Sequence, residues 1–230
     1  MLVLGLVAGS VDAIGYVTLF HLFTANMTGN SVHLASGSLW HALPISAFLL
    51  GAIIGALFAS AHESKALAFA VEALALGAFA ILTSARAFGE LHWLTAAMPA
   101  LAMGIQAVTV RRAGGGRVQT AFVTGMLVTF ADALVKWAKS KRPGAAARAR
   151  LVLGIWLSYV IGAFAGFSAH ACIGATAIVL PLAGLLAALV LILPERTILE
   201  RDATSSTLDR LRPRTRVVQE ISHGPSGGHP

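Results

Sequence analysis

Six segments of this chain are apolar over the length that a membrane crossing needs. A helix rises 1.5 Å per residue, so about twenty apolar residues cross roughly 30 Å of hydrocarbon. The predicted spans are residues 2–23, 43–61, 66–85, 91–110, 151–169 and 173–193. Because lipid offers no hydrogen bonds to a bare backbone, such segments fold as helices. The sequence therefore predicts an all-α, polytopic membrane helix bundle with six transmembrane spans.

The distribution of charge predicts how the bundle lies in its membrane. Charged residues make up only 12% of the chain, against about 25% in a soluble domain. The formal net charge of +7 comes mostly from residues 111–150 and the C-terminal tail, which favours topology over nucleic-acid binding. The positive-inside rule then places that loop and both termini of a multi-pass protein in the cytoplasm. Residues 195–230 are polar and rich in Gly and Pro, which predicts a disordered cytoplasmic tail.

Three blocks of sequence recur in the same order in the two halves. "GSVDAIGYV" and "TANMTGNSV" are echoed by "GIQAVTV" and "QTAFVTGMLV", and "GAIIGA" is echoed by "GAFAGF". With a small gap, this alignment pairs Asp12 with Gln106 and Thr28 with Thr124. The predicted transmembrane domain, residues 1–194, thus contains two repeats, residues 1–86 and 91–194. Each repeat has three spans, an odd number, so we expect the second to be inverted relative to the first, as in many secondary transporters.

Two polar stretches, "TANMTGN" and "QTAFVTG", interrupt the apolar pattern at equivalent places. Irregular backbone at membrane depth is tolerated only inside protein or beside a wet cavity. One interpretation is that both stretches are broken or re-entrant and meet at a central site, and the alternative is that they cap helices at the interface. The candidate binding residues in these stretches are Asn26, Thr28, Gly29, Asn30, Thr120, Thr124 and Gly125.

The blocks "GSVDAIGYVTLFHLFTANMTGN", "MGIQAVTV" and "TAFVTGML" resemble the YoaK-like family of bacterial inner-membrane proteins, a domain-of-unknown-function family. The resemblance covers roughly residues 5–193 and leaves out the tail. It implies a polytopic bacterial membrane protein. It implies no substrate and no reaction.

Asp12 is the strongest single candidate for a functional residue. It lies about ten residues into the first span, where an ionised Asp costs roughly 2.5–3.5 kcal/mol on insertion scales, so we expect it to face protein or water. It could bind a cation or a proton and couple transport to it. The alternative is a structural lock in which Asp12 bonds to Gln106 or to the backbone of the broken segments. Tyr16 and Gln106 are further candidates for the lining of the site.

Other residues suggest packing and contact with lipid. Gly51 with Gly55, and Gly162 with Gly166, form GxxxG motifs that favour close helix packing in the bundle, with a homodimer interface as an alternative. We expect Glu72, which shares a helical face with Lys65 near the cytoplasmic end of the third span, to extend toward the membrane surface. The alternative is a second acid inside the membrane.

The segment "MLVTFADALVKWAK" has one apolar helical face and is followed by further basic residues. This pattern predicts an amphipathic helix on the inner leaflet, with anionic lipid at Lys136, Lys139, Lys141 and Arg142. A complete crossing by residues 120–137 is the rival interpretation, but it would move basic residues to the outer side.

These patterns favour a secondary transporter or permease of a small solute, coupled to protons through Asp12. The alternative is a non-transporting membrane scaffold or sensor whose polar residues only maintain the fold. We expect no enzyme, since no catalytic constellation of residues occurs, and no cofactor or metal.

Overall fold

The structure is a computed structural model that describes residues 1–60, 65–84, 91–113, 123–141 and 143–190. All of them lie within one unit of the chain, Met1–Ile192. Over these residues the protein is built from helices and short turns and has no strand, which agrees with the all-α prediction. Three predicted features lie outside the described residues: Thr120, Arg142 and the tail from 195 to 230.

Eight helices run through the described residues, and two of them, α2 and α6, are not among the predicted spans. Their bounds are α1 Leu2–Thr18, α2 Met27–Ala35, α3 Ala42–Ser60, α4 Lys65–Ser84, α5 His92–Ala113, α6 Val123–Ser140, α7 Pro143–Ile173 and α8, residues 179–190. Short 3-10 turns, Leu39–His41 and Gly174–Ile178, precede α3 and α8. Pro44 and Pro143 fall in the first turns of their helices, where a missing N–H removes no intrahelical hydrogen bond.

Three stretches are long and apolar enough to cross a membrane: Leu39–Phe58, His92–Val110 and Gly144–Val190. The third contains both α7 and α8. Leu2–Thr18 and Leu67–Thr83 are apolar as well but shorter. The described helices are thus those of a membrane protein, while the number of crossings, six, stays a prediction.

The first predicted span, residues 2–23, is too long. Helix α1 ends at Thr18, and Phe20 and His21 adopt left-handed backbone angles, φ 54° and 66°. This conformation costs a residue with a side chain about 1–2 kcal/mol, so contacts elsewhere must hold it. The chain regains helical form at Met27.

Helices α3 and α5 pack with their backbones in close contact. A Cβ at Gly51 would overlap the carbonyl oxygen of Leu101, and one at Gly55 would lie 2.9 Å from the carbonyl oxygen of Ile105. From the other side, a Cβ at Gly104 would overlap the carbonyl oxygen of Phe48. Glycine is therefore required at these positions, because any side chain would push the helices apart.

Helices α1 and α7 repeat this arrangement with different residues. A Cβ at Gly162 would overlap the carbonyl oxygen of Leu6, and one at Gly166 would lie 2.8 Å from the carbonyl oxygen of Ser10. A Cβ at Gly9 would overlap the carbonyl oxygen of Tyr159. The Ser10 hydroxyl also donates to the Gly162 carbonyl at 2.9 Å, which adds a polar contact between the helices.

Comparison of the two helix pairs corrects the predicted alignment by one residue. Leu6 occupies against α7 the place that Leu101 occupies against α3, and Gly9 likewise matches Gly104. Both matches are 95 positions apart, so the counterpart of Asp12 in this packing is Ala107 and not Gln106. The sequence alignment was misled because it matched the two polar residues to each other.

Helix α6 contains the segment that was predicted to be an amphipathic helix. Its Met126 is buried against Val152 and Ile155 of α7. Its basic residues are exposed: Lys136 forms an ion pair with Asp132 at 2.8 Å, and the Lys141 amine lies 5.2 Å from the centroid of the Trp137 ring. The helix thus has one face on the bundle and another that carries Lys and Trp side chains.

Candidate functional site

The carboxylate of Asp12 holds the loop of residues 19–26, which connects α1 to α2. Its Oδ1 accepts hydrogen bonds from the backbone N–H of Thr24 at 2.6 Å and of Ala25 at 2.8 Å, and from the Thr24 hydroxyl at 3.2 Å. Asp12 is only 2% exposed although it lies in the middle of α1. The buried carboxyl group is therefore matched by hydrogen-bond donors that point at its oxygens.

Asn30 holds the same loop from the α2 side. Its Oδ1 accepts from the backbone N–H of Phe23 at 3.0 Å, and its Nδ2 donates to the carbonyl of the same residue at 2.7 Å. Asn30 is fully buried. One amide side chain thus satisfies both backbone groups of Phe23, which neither helix can do.

These contacts show how the chain tolerates irregular backbone in an apolar bundle. The loop leaves backbone groups without helical partners, and each would be costly to bury unpaired. Asn26 is the N-cap residue of α2 but makes no side-chain capping bond. Asp12, from one helix earlier in the chain, instead binds the backbone N–H groups of Thr24 and Ala25, which come just before that N-cap.

Gly29 lies within a helix and not at an irregular turn. Thr28, Gly29 and Asn30 lie inside α2, so the interruption is residues 19–26 and precedes most of the "TANMTGN" motif. Gly29 serves a packing role, because a Cβ there would lie 2.6 Å from the ring of Phe23.

Tyr159 of α7 completes the hydrogen bonds of Asp12. Its hydroxyl donates to Oδ2 of the carboxylate at 2.5 Å, across 147 positions of sequence. Tyr159 lies one helical turn before Gly162, on the face that packs closely against α1. The carboxylate therefore joins α1, the loop and α7 at one point.

A cavity of about 280 Å³ lies beside this point. It is lined by Asp12, Ala13, Tyr16, Phe23, Tyr159, Ala163 and Phe167. The Tyr16 ring packs against the rings of Phe23 and His21, with centroids 4.9 and 4.8 Å apart. The walls are mostly apolar and aromatic, with a carboxylate and two phenol groups as polar elements. Because Asp12 is only 2% exposed and its oxygens are already hydrogen-bonded, such a lining suits a small, mainly apolar organic molecule.

The structure brings only some of the predicted site residues together. Asp12 and Tyr16 line the cavity, and Asn30 holds its loop. Thr28 and Thr124 are exposed, and Gly125 lies with Thr124 in the first turn of α6.

Of the second polar stretch only residues 123–125 are described, and they lie in α6. Within the described residues, α2 packs on α3 and on the turn Leu39–His41, while α6 packs on α7.

Gln106 belongs to a second polar pair. Its Nε2 donates to Oε1 of Glu72 at 3.0 Å, between α5 and α4. Glu72 is 0% exposed, so the expectation that it extends to the membrane surface is wrong. Its place against α5 turns the side chain into the bundle, and Asp12 is therefore not the lone carboxyl in the core.

Sequence reasoning missed Tyr159, Phe23 and Phe167 as lining residues. Tyr159 carries a weak signal, because it is one of only two tyrosines and lies in the middle of an apolar span. A buried phenol seeks a hydrogen-bond partner, so it predicts a polar group nearby without telling which one. The two phenylalanines carry no such signal among many apolar residues.

Comparisons with known proteins agree with this architecture. A family model described as "Protein of unknown function (DUF1275)" matches residues 1–192. The UPF0700 transmembrane protein YoaK of Bacillus subtilis (strain 168) is 35% identical over 142 residues, covering 55% of this chain and 62% of the relative. The alignment thus spans less than two thirds of that relative's length. No solved structure matches the chain.

Proposed function

The chain belongs to the DUF1275 family, and on that premise we propose that it is a secondary transporter or permease of a small solute. It would act in a bacterial inner membrane with both termini in the cytoplasm. The observation that carries this proposal is the cavity of about 280 Å³ beside Asp12, between α1 and α7. Its volume is near the lower end of the range of about 300–1,000 Å³ that is typical of small-molecule pockets.

The position of the cavity supports a role in transport. Its walls come from α1 and the following loop in the first half of the chain and from α7 in the second half. Transporters with repeated halves bind their substrates at the interface between the repeats, where relative movement can open the site to either side.

Reciprocal helix packing supports an inverted repeat. The first long helix of each half packs on the second of the other half, as α1 on α7 and α5 on α3, through equivalent glycines. The third long helix likewise packs on the first of the other half: α4 contacts α5, and a Cβ at Gly184 of α8 would lie 3.2 Å from Val7 of α1. Each half supplies three long helices, so equivalent helices run in opposite directions if every one crosses.

Helices α2 and α6, the remaining helix of each half, follow the same pattern. Met27 begins α2 and Val123 begins α6, and each is followed directly by Thr-Gly. We propose that α2 lies toward the outer surface and α6 on the inner leaflet, where the exposed Lys136, Lys139 and Lys141 contact anionic lipid headgroups.

For Asp12, the hydrogen bonds favour an anchoring role over proton exchange. Four donors from three residues hold its two oxygens, and each of them favours the ionised form. We propose that Asp12 fixes the loop and one wall of the solute site. Proton coupling through Asp12 stays a prediction.

A ligand screen with matched aromatic variants tests the proposal. Purified protein in lipid nanodiscs is screened with a metabolite library for an increase in melting temperature, and active compounds are then tested for uptake into proteoliposomes. Phe167→Ala removes a cavity wall and should abolish both signals. Phe164→Ala, on the same helix but 74% exposed and outside the cavity lining, should leave both unchanged.

Both carboxyl oxygens of Asp12 already accept hydrogen bonds from the protein. This also favours the second candidate, a membrane scaffold whose polar core maintains the fold. If no compound shifts the melting temperature, or if both Phe variants respond alike, the scaffold is the better assignment. Uptake that depends on Phe167 but survives Asp12→Asn would support transport and exclude coupling through Asp12.

A further inference from the structure

The pair Glu72 and Gln106 lies apart from the cavity and has no role in the site described above. Glu72 on α4 and Gln106 on α5 are 0% and 1% exposed. The Gln106 amide donates to Oε1 of the carboxyl at 3.0 Å, and Oε2 is buried without a hydrogen-bond partner. This is the opposite of Asp12, whose two oxygens are both held by donors.

An ionised carboxylate in this place would be poorly compensated. Burial of a charge is tolerated when a counter-charge or several donors surround it, and here one neutral amide is present. A carboxyl that carries a hydrogen on Oε2 needs no counter-charge, and its Oε1 remains free to accept from Gln106. The geometry therefore fits the neutral form of the acid.

The surrounding elements supply no counter-charge that the structure describes. The segments Ala42–Ser60, Gly174–Ile178 and 179–190 contain no charged or titratable residue. On α4, Lys65 is seven positions before Glu72. On α5, Arg111 and Arg112 are five and six positions after Gln106, and His92 is at the far end.

The remaining acid nearby is Asp12, since α1 also contacts α5. Its carboxylate is already bound by Tyr159 and by the loop. A group of three side chains that could hold a metal ion is absent from the described part of the chain. The geometry therefore suits a proton better than a metal cation.

The helix pairs α3·α5 and α1·α7 make equivalent contacts, but the pair Glu72 and Gln106 has no counterpart on α1. The residue 95 positions before Gln106 is Val11, which is apolar and fully buried. A polar pair that only stabilised the shared architecture would be expected in both units. Its presence in one unit indicates a task that the repeat itself does not require.

We propose that Glu72 is a proton-binding site of the protein, positioned by Gln106 at the contact between α4 and α5. In the present conformation Oε2 holds the proton. When α4 and α5 separate and water enters, the O–H bond breaks, the proton leaves to water, and the carboxylate is solvated. The link of this proton to solute movement rests on the proposed function, whereas the proton site itself does not.

Infrared difference spectroscopy tests the site in the full-length protein reconstituted in lipid. The carbonyl stretch of a protonated carboxyl is separate from that of a carboxylate and shifts on exchange into D₂O. At neutral pH we expect this band in the wild type, its loss in Glu72→Gln, and its retention in Asp12→Asn. Absence of the band in the wild type, or its persistence in Glu72→Gln, overturns the proposal.

The Gln106→Leu variant gives a second infrared readout, which remains informative if Glu72→Gln does not fold. Loss of the amide donor should move the band to higher frequency without removing it, because a free carbonyl is the stiffer bond. An unchanged band in this variant would contradict the positioning role of Gln106.

Transport measurements distinguish failure of the proton-site proposal from failure of the transporter proposal. If a solute is taken up but the protonated band is absent, the proton site is wrong and the transporter stands. If the band behaves as expected and no solute is transported, the proton site stands without coupled transport. Uptake that a pH gradient drives in wild type but not in Glu72→Gln would connect the two.

Discussion

At the scale of single residues, two buried acids are accommodated by different chemistry. Asp12 is surrounded by donors, including two backbone N–H groups, so its charge stabilises an irregular loop. Glu72 meets a single amide, in a place where a neutral group is more easily buried. Position in a span alone does not distinguish these situations, because both residues are acids within apolar segments.

The bond between Tyr159 and Asp12 should contribute measurably to stability. Tyr159→Phe removes one donor to a buried charge, and we expect a loss of about 1–3 kcal/mol in the free energy of unfolding. Reversible unfolding in mixed micelles gives this quantity. The matched control is Tyr16→Phe, which alters the other tyrosine of the cavity, whose hydroxyl makes no hydrogen bond to Asp12.

A double-mutant cycle shows whether the two residues act as a pair. Combined with Asp12→Asn, the Tyr159→Phe change should show a coupling energy of about 1 kcal/mol or more. Additive effects would mean that the hydroxyl does not contribute through Asp12.

At the scale of helices, glycines decide how closely the long helices approach. The α1·α7 and α3·α5 contacts both bring a backbone carbonyl to a glycine Cα, where a methyl group would overlap it. Small residues perform this function in membranes because lipid provides no hydrophobic drive for helix association, so van der Waals contact must provide it.

Gly162→Ala should therefore destabilise the bundle by about 1–3 kcal/mol, the typical cost of an overpacked contact. Gly51→Ala should have a similar effect if the two helix pairs are equivalent. Gly77→Ala is the control, since nothing lies within 4 Å of its Cβ position, and it should be neutral or stabilise by up to about 1 kcal/mol. Equal effects at Gly162 and Gly77 would show that close approach is not what glycine provides.

At the scale of the whole molecule, the two halves should face opposite sides of the membrane. A labelling experiment starts from Cys172→Ser, which removes the chain's single cysteine. Ser36→Cys, after α2, should react with a membrane-impermeant maleimide in intact cells. Lys139→Cys, on α6, should react only after permeabilisation, because the positive-inside rule places it in the cytoplasm.

Labelling of both positions from the same side would contradict the inverted arrangement. Labelling of Lys139→Cys from outside and of Ser36→Cys from inside would keep the inversion and reverse the orientation of the protein.

The sequence by itself determined the helices. Apolar segments of membrane length must satisfy their backbone groups internally, so their helical form follows from composition and length. The start of α3, Ala42, lies one residue before the predicted one. The predicted end of α1 is five residues too late, because residues 19–23 are nearly as apolar as a helix interior. The hydrogen bonds that hold the loop of residues 19–26 come from Asp12, which binds Thr24 and Ala25, and from Asn30, which binds Phe23.

Only the tertiary structure decided which polar groups meet. The Tyr159 hydroxyl donates to Asp12, which is 147 positions away in the sequence, and the Gln106 amide donates to Glu72, which is 34 positions away. A one-residue shift in helix register changes the face that a side chain occupies by about 100°, since a turn holds 3.6 residues. The alignment that paired Asp12 with Gln106 could not resolve such a shift, because contacts between helices set the register and the local pattern of residues does not.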